Sequence, residues 1–194
     1  MITASNPPKF AVLLVIAAAC LSAPARDKYE TVDATAYGTS TQLGRNIGVT
    51  IIVYEWSTPE TRQALVEAFQ KSQNQGLVNA LQKTPAVGRI QIPGTLGYDL
   101  SYIRMIPSAT GRTIRFVTNR KIMFGEAYAD SQSQSFDLTA GEFQLNDQDK
   151  SKSAGVLYPA CQLAINKDGE LQIELNQNAW RLNDIIDWRG TAQN

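Results

Sequence analysis

The apolar positions along this chain change period twice. Phe10 to Ala19 is an unbroken apolar run. Thr31 to Tyr37 then alternates, with Val32, Ala34 and Ala36 at every second position, and Ile47 to Trp56 is a longer β-rich run. Alternation at a period of two puts every second side chain on one face of a strand. Gly38 to Asn46, between the two runs, is rich in Gly, Ser and Thr and reads as a hairpin loop.

Past Trp56 the period lengthens. Ser57-Thr58-Pro59-Glu60 carries helix-start chemistry. Either Thr58 caps with Pro59 at the first helical position, or Ser57 and Glu60 form a capping box. Ala64, Leu65, Ala68 and Phe69 recur at helical spacing, Ser72 to Gly76 weakens the pattern, and Leu77, Val78 and Leu81 resume it until Thr84-Pro85. The spacing predicts one broken helix or a helical hairpin over Pro59 to Lys83, with one apolar side docked on a sheet.

Everything after Pro85 reads as antiparallel β. Expected strands are Val87 to Ile92, Tyr98 to Ile106, Arg112 to Asn119 and Lys121 to Tyr128. Ser135 to Leu145, Gly155 to Asn166, Glu170 to Leu175 and Trp180 to Trp188 complete the set. Pro93-Gly94, Thr110-Gly111 and Lys167-Asp168-Gly169 supply turn chemistry between them. The expected fold class is mainly β: an antiparallel sandwich or barrel-like sheet with the broken helix or hairpin packed on it. The pattern leaves sandwich and barrel both open.

The first apolar run changes the picture of where the protein works. It follows a short polar stretch with one basic residue, Lys9, and Ala23-Pro24-Ala25 places small residues where a signal peptidase reads them. Residues 1–25 are therefore expected to be a signal peptide, and residues 26–194 a single mainly β domain, exported to the periplasm or outside the cell. Cys20, after Ala17-Ala18-Ala19, offers a second fate: a bacterial lipoprotein signal has its lipidated Cys in this place. Ala17 stands where such signals usually carry Leu. The N-terminus is thus either released after Ala25 or anchored through Cys20, and that anchor is the one membrane attachment expected.

Charge and residue type narrow the chemistry. The 18 basic and 18 acidic residues balance, which argues against a general nucleic-acid binder and a polybasic membrane-surface protein. The chain has no His, so Ser-His-Asp and Cys-His catalysis in their usual form and imidazole metal ligation are excluded. Beyond Ala25 the lone Cys161 lies in an apolar stretch and reads as a core residue. Asp147-Gln148-Asp149-Lys150-Ser151 tests as a calcium loop and fails, with Lys152 where Gly is needed and Tyr158 where Glu is needed. No phosphate-cradling glycine motif occurs, and no metal or cofactor is expected.

One feature of the charge pattern is uneven. From Ala86 to Gly125 the charges are Arg89, Arg104, Arg112, Arg115, Arg120 and Lys121 against Asp99, and from Glu126 to Asp149 they are all acidic. Neighbouring strands with cross-strand charge pairs explain this at modest energetic gain. The alternative is an anion or glycan site on Arg104, Arg112 and Arg115. Alternation constrains that site, because Arg112 shares a face with Ile114 and Phe116 while Arg115 points the other way. Trp56, Trp180 and Trp188, with the seven tyrosines, are candidates for a binding groove, against the alternative of core or edge packing.

The run Gly88-Arg89, Gly94, Gly97, Arg104, Pro107, Gly111 to Arg120, Phe124 and Glu126 resembles an uncharacterised family of exported bacterial proteins. Asn166 to Leu171, Arg181-Leu182 and the stretch from Thr35 through the following strand and helix fit the same pattern. The resemblance implies an exported domain and supplies no catalytic residues. The functional expectation is an exported non-enzymatic domain that binds an unidentified protein or small ligand. A barrel holding an apolar or anionic small molecule and a carboxylate-dependent hydrolase are the alternatives.

Overall fold

The computed structural model describes residues 29–40, 43–122, 136–168, 171–177 and 179–188. The expected signal peptide, Cys20, the strand expected to run on from Ile122 and the Gly169-Glu170 end of one turn lie outside the described residues. Among those described, ten strands form one antiparallel sheet. They are β1 (Glu30–Gly38), β2 (Asn46–Val53), β3 (Gly88–Gln91), β4 (Tyr98–Leu100) and β5 (Tyr102–Ser108). Then come β6 (Gly111–Thr118), β7 (Leu138–Asn146), β8 (Ala154–Ile165), β9 (Leu171–Gln177) and β10 (Trp180–Asp187). One helical segment, α1 (Pro59–Lys83), interrupts them between β2 and β3.

The sheet order is β4-β3-β2-β1-β10-β8-β7-β6-β5, with β9 paired on β8 beside this path. The two end strands, β4 and β5, are consecutive in the chain with Ser101 alone between them. A sheet whose first and last strands are joined by one residue must roll until its edges meet. The Thr118 hydroxyl of β6 donates to the Asp99 carbonyl of β4 at 2.8 Å across that seam. The result is a nearly closed barrel, which resolves the choice between sandwich and barrel. It also splits the expected Tyr98 to Ile106 strand in two at buried Ser101. Lys121 and Ile122, expected to open a strand, are irregular chain, and the Ile122 N–H instead reaches the Pro159 carbonyl at 3.0 Å.

Alternation fills the barrel. Val32, Ala34 and Ala36 point inward with Ile51, Ile114, Phe116, Phe143, Leu157, Trp180 and Leu182, all buried in one cluster. Phe116 and Phe143 pack with ring centroids 6.2 Å apart. Gly141 lies opposite Phe116 in the β6–β7 register, and a Cβ there would sit 2.2 Å from the Phe116 ring. That ring takes the space a larger residue at 141 would fill. Each buried Val, Leu, Ile or Phe side chain of this set stabilises the fold by roughly 1.5–3 kcal/mol.

A second buried cluster lies outside the barrel. Leu65, Phe69, Leu77, Val78 and Leu81 of α1 pack with Leu138, Ala140, Cys161 and Leu163 of β7 and β8. The helix starts as one of the two expected caps: the Thr58 hydroxyl accepts from the Thr61 N–H at 3.2 Å. Ser57 is used elsewhere, its hydroxyl accepting from the Ile103 N–H at 3.0 Å. The helix breaks at Ser72 and Gln73, the latter at φ 50°. Beyond the break the chain folds back. A Cβ on Gly76 would lie 2.2 Å from the Ala68 carbonyl oxygen, whereas residues eight apart in a straight helix are about 12 Å apart. Only glycine permits that approach. The broken helix is thus a tight hairpin of two arms, and its ends return to one place, where the Tyr54 N–H bonds to the Val87 carbonyl at 2.9 Å. Asn74, just past the break, pins it to the sheet: its amide donates to the Leu163 carbonyl at 3.0 Å and accepts from the Leu163 N–H at 2.8 Å. No described helix is long and apolar enough to cross a membrane.

Candidate functional site

The helical hairpin does not seal the face it covers. Between it and the outer surface of β5 to β9 lies a partly open groove of about 420 Å³. Strand register builds its floor in rows. Tyr102, Val117, Ala140 and Tyr158 stand opposite one another across β5, β6, β7 and β8. Two residues further along each strand, Arg104, Arg115, Glu142 and Val156 form the next row. Both rows line the groove. The two are separated by about 7 Å, the rise of two residues in a strand. Leu65, Val66, Leu77 and Leu81 form the helical wall, and Arg62 stands on that wall as well.

Arg104 and Arg115 come together here, because they are direct cross-strand partners. Arg115 also faces Glu142 on its other side, with an ion pair of 2.5 Å from Nε to Oε2. That pair is the cross-strand match expected between the basic and acidic blocks. Both side chains are partly exposed, so the pair contributes at most about 1 kcal/mol. Tyr158 in the apolar row has its phenol pKa raised, first by burial and then by the charges of Glu142 and Cys161. A tyrosine is protonated at neutral pH in any case, so the Tyr158 hydroxyl is available as a donor one row from Glu142.

Arg112 does not join them. It sits on the opposite face of β6, inside the barrel mouth with Ile114 and Phe116, and is 4% exposed. Its guanidinium bonds Glu30 of β1 and Asp187 of β10, the latter at 2.7 Å. Burial alone lowers its pKa, but the hydrogen bonds and charges of the two carboxylates outweigh that and raise it. Arg112 is a strut across the barrel, and the three-arginine site reduces to Arg104 and Arg115.

The remaining candidates find structural places. Cys161 is fully buried beneath α1, and burial pushes its thiol up to about 12. Trp180 is in the barrel core, Trp56 packs at its margin, and the Trp188 indole donates to Asp33 at 2.7 Å on the outer surface. The three tryptophans do not share a groove. In the 147–151 segment Asp149 accepts from the Ser151 N–H and hydroxyl and pairs with Lys152, which together hold a one-turn helix at Lys150–Lys152. On β10, Asp184 accepts from the Tyr37 hydroxyl at 2.7 Å and Asp187 binds Arg112.

Sequence reasoning missed Arg62, and it offered Tyr102 and Tyr158 only among all seven tyrosines as possible groove residues. Arg62 carried a usable signal, standing three and four residues before Leu65 and Val66 and hence on their side of the helix. Nothing in the sequence singled out these two tyrosines from the other five, since an aromatic in an apolar run reads equally as core. Comparison with protein-family models, with curated proteins and with solved structures finds no match to this chain.

Proposed function

We propose that this protein is an exported, non-enzymatic binding domain that takes a small molecule in the groove between the helical hairpin and the barrel wall. The observation that carries this reading is the groove itself. Its volume of about 420 Å³ falls in the range of small-ligand pockets, and an apolar floor beside a few polar groups is the usual composition of such sites. The barrel interior is a poorer place for a ligand, since Phe116, Phe143 and Trp180 are packed there.

Binding is favoured over hydrolysis by the arrangement of carboxylates. Among the described residues lining the groove the one carboxylate is Glu142, and Arg115 is ion-paired with it. A glycosidase-type mechanism needs two carboxyl groups facing one another across the substrate. The signal pattern of residues 1–25 and the resemblance to exported bacterial proteins support the location.

The test uses an environment-sensitive apolar dye, 1-anilinonaphthalene-8-sulfonate, and a rim substitution. Val66 lines the groove and is only partly buried, so Val66→Trp fills the mouth without entering the core. The folded protein is expected to bind the dye saturably at one site, and Val66→Trp to weaken that binding at least tenfold while the thermal midpoint holds. Equal dye affinity in the two folded proteins rules the groove out as the site.

A further inference from the structure

The barrel wall away from the helical hairpin carries a surface of its own. We infer that the outer end of β1, β2 and β10 rests on a lipid bilayer, with Tyr29, Tyr54 and Trp188 at the level of the headgroups. Three observations converge on this contact. The first is where exposed apolar groups fall. Tyr29, Tyr54, Ile186 and Trp188 are between 38% and 64% exposed, and strand register gathers them. Ile186 faces Asp33 across β1 and β10. The Trp188 N–H bonds to the Thr31 carbonyl, and Thr31 faces Ile52 on its other side. Tyr29 meets Tyr54 edge-on, with ring centroids 5.1 Å apart. Single exposed hydrophobics are ordinary on a protein surface, whereas a contiguous group marks a contact.

The second is the kind of side chain. Tyrosine and tryptophan join an apolar ring to a polar tip, and they concentrate where hydrocarbon meets water. The Trp188 indole donates its N–H to Asp33 at 2.7 Å, so its ring can leave water without stranding a donor. The Thr50 hydroxyl donates to the same carboxylate. Arg89, opposite Ile52, is paired with Asp99 at 3.2 Å. The contact therefore rests on rings and not on a basic patch.

The third is where the chain enters. Tyr29 and Trp188 are the first and last described residues, and both belong to the patch. Cys20 stands nine residues before Tyr29, and that length of chain spans at most about 30 Å. An anchor on Cys20 thus holds this end of the barrel against the bilayer, and the exposed rings are what it presents there. The hairpin and its groove lie on the other half of the barrel and stay open to the medium.

The experiment measures tryptophan emission of the exported chain, in the form the cell makes, with phosphatidylcholine vesicles whose acyl chains are brominated or plain. Bromine quenches rings that touch the bilayer. Trp180 lies in the barrel core and Trp56 at its margin, so Trp188 is the reporter and Trp188→Phe the blank. The emission that Trp188→Phe lacks is expected to fall at least twofold in brominated vesicles, and added salt is expected to leave that fall unchanged. Tyr29→Ser/Tyr54→Ser should halve the quenching. β3 leads away from Tyr54 towards Leu96, so Leu96→Trp in the Trp188→Phe background reports on the far end and should not be quenched. Absence of Trp188 quenching overturns the contact, including the case in which a second copy of the chain covers the patch. Quenching that persists in Trp188→Phe, or that appears at Leu96→Trp, puts lipid on another face and overturns it too. Quenching abolished by salt overturns the rings as its cause. The wild-type measurement stands alone if the tyrosine variant does not fold. None of these outcomes bears on the groove, which the dye titration tests separately.

Discussion

The outer surface of the barrel comes in two halves, one under the helical hairpin and one bare, and both are built from the same alternating strands. On the bare half, β1 buries Val32, Ala34 and Ala36 inward and turns Thr31, Asp33, Thr35 and Tyr37 outward. Its outward groups tie sideways to their neighbours: the Thr50 hydroxyl and the Trp188 indole both donate to Asp33. On the covered half, β7 is buried on both faces for its first four residues, Leu138 to Gly141. Its outward positions then pass from Leu138 and Ala140 to Glu142 and exposed Gln144. Coverage ends where the side chains turn polar, and the groove opens at that boundary. A sheet covered over only part of its length leaves a ledge between a dry floor and wet charges.

The two halves are joined through the barrel by Arg112, which reaches from β6 on the covered side to β1 and β10 on the bare side. Removing it should produce the largest effect of any single change considered. Arg112→Met leaves Glu30 and Asp187 facing each other without a cation, and breaking a buried pair in this way costs about 3–5 kcal/mol. Urea unfolding reads the loss, and replacing all three residues with apolar ones of similar volume should recover most of it. A loss below about 1 kcal/mol in the single variant would show that the strut is not what holds the halves together.

The next effect separates the halves directly. Leu81→Ala, beneath the hairpin and fully buried, should cost about 2–5 kcal/mol. Ile186→Ala, 49% exposed on the bare outer face, should stay within about 0.5 kcal/mol. Equal costs at the two positions would erase the distinction between covered and bare surfaces. Asn74→Ala is smaller, about 1–3 kcal/mol, because it strands the N–H and carbonyl of Leu163 rather than removing packing. Its signature is local: the Leu163 amide should exchange with solvent faster while the amides of β1 keep their rates.

The smallest effect is a pH dependence confined to the covered half. The Cys161 thiol rises from an ordinary value of 9.0 to about 12 in the folded state because burial disfavours the thiolate. The unfolded chain releases this proton first as pH rises. The group's stabilising contribution is therefore full below about pH 9 and is lost between there and about pH 12. Cys161→Ala should flatten this part of the stability curve relative to wild type. A thiol-specific reagent at pH 8 should leave native Cys161 unmodified and label it once urea unfolds the protein. Rapid labelling of the native protein would mean that the hairpin opens far more readily than its packing implies.

Much of the fold was legible because alternation is a local property. Val32-x-Ala34-x-Ala36 fixed the inward face of β1, and the weakening at Ser72 to Gly76 marked where α1 turns back. The parity of Arg112 with Ile114 and Phe116 placed it apart from Arg115. What could not be read was non-local. The carboxylates that hold Arg112 lie at positions 30 and 187, at the two ends of the domain, and no spacing near 112 announces them. The break at Ser101 likewise follows from barrel closure, which depends on every strand at once. Arg104 and Arg115 were legible as candidates, but their direct opposition needed the register of the Thr110-Gly111 hairpin, and Arg62 needed the hairpin laid over the sheet.

The pairing of β1 with β10 has a topological meaning as well. Val32 faces Asp187 in that pairing, and the Trp188 N–H bonds to the Thr31 carbonyl at 2.9 Å. The first and last strands of the described fold are thus paired side by side, like β1 and β2 or β6 and β7. Around such a ring the choice of first strand is arbitrary. Joining the chain near residue 188 to the chain near residue 29 by a short linker and opening it at Leu96, which is 91% exposed, keeps every strand beside its present partners. Circular permutants cut at exposed turns usually fold, so this one should keep its cooperative melting transition. A permutant that melts without cooperativity would show that strand order along the chain, and not only around the ring, holds the barrel closed.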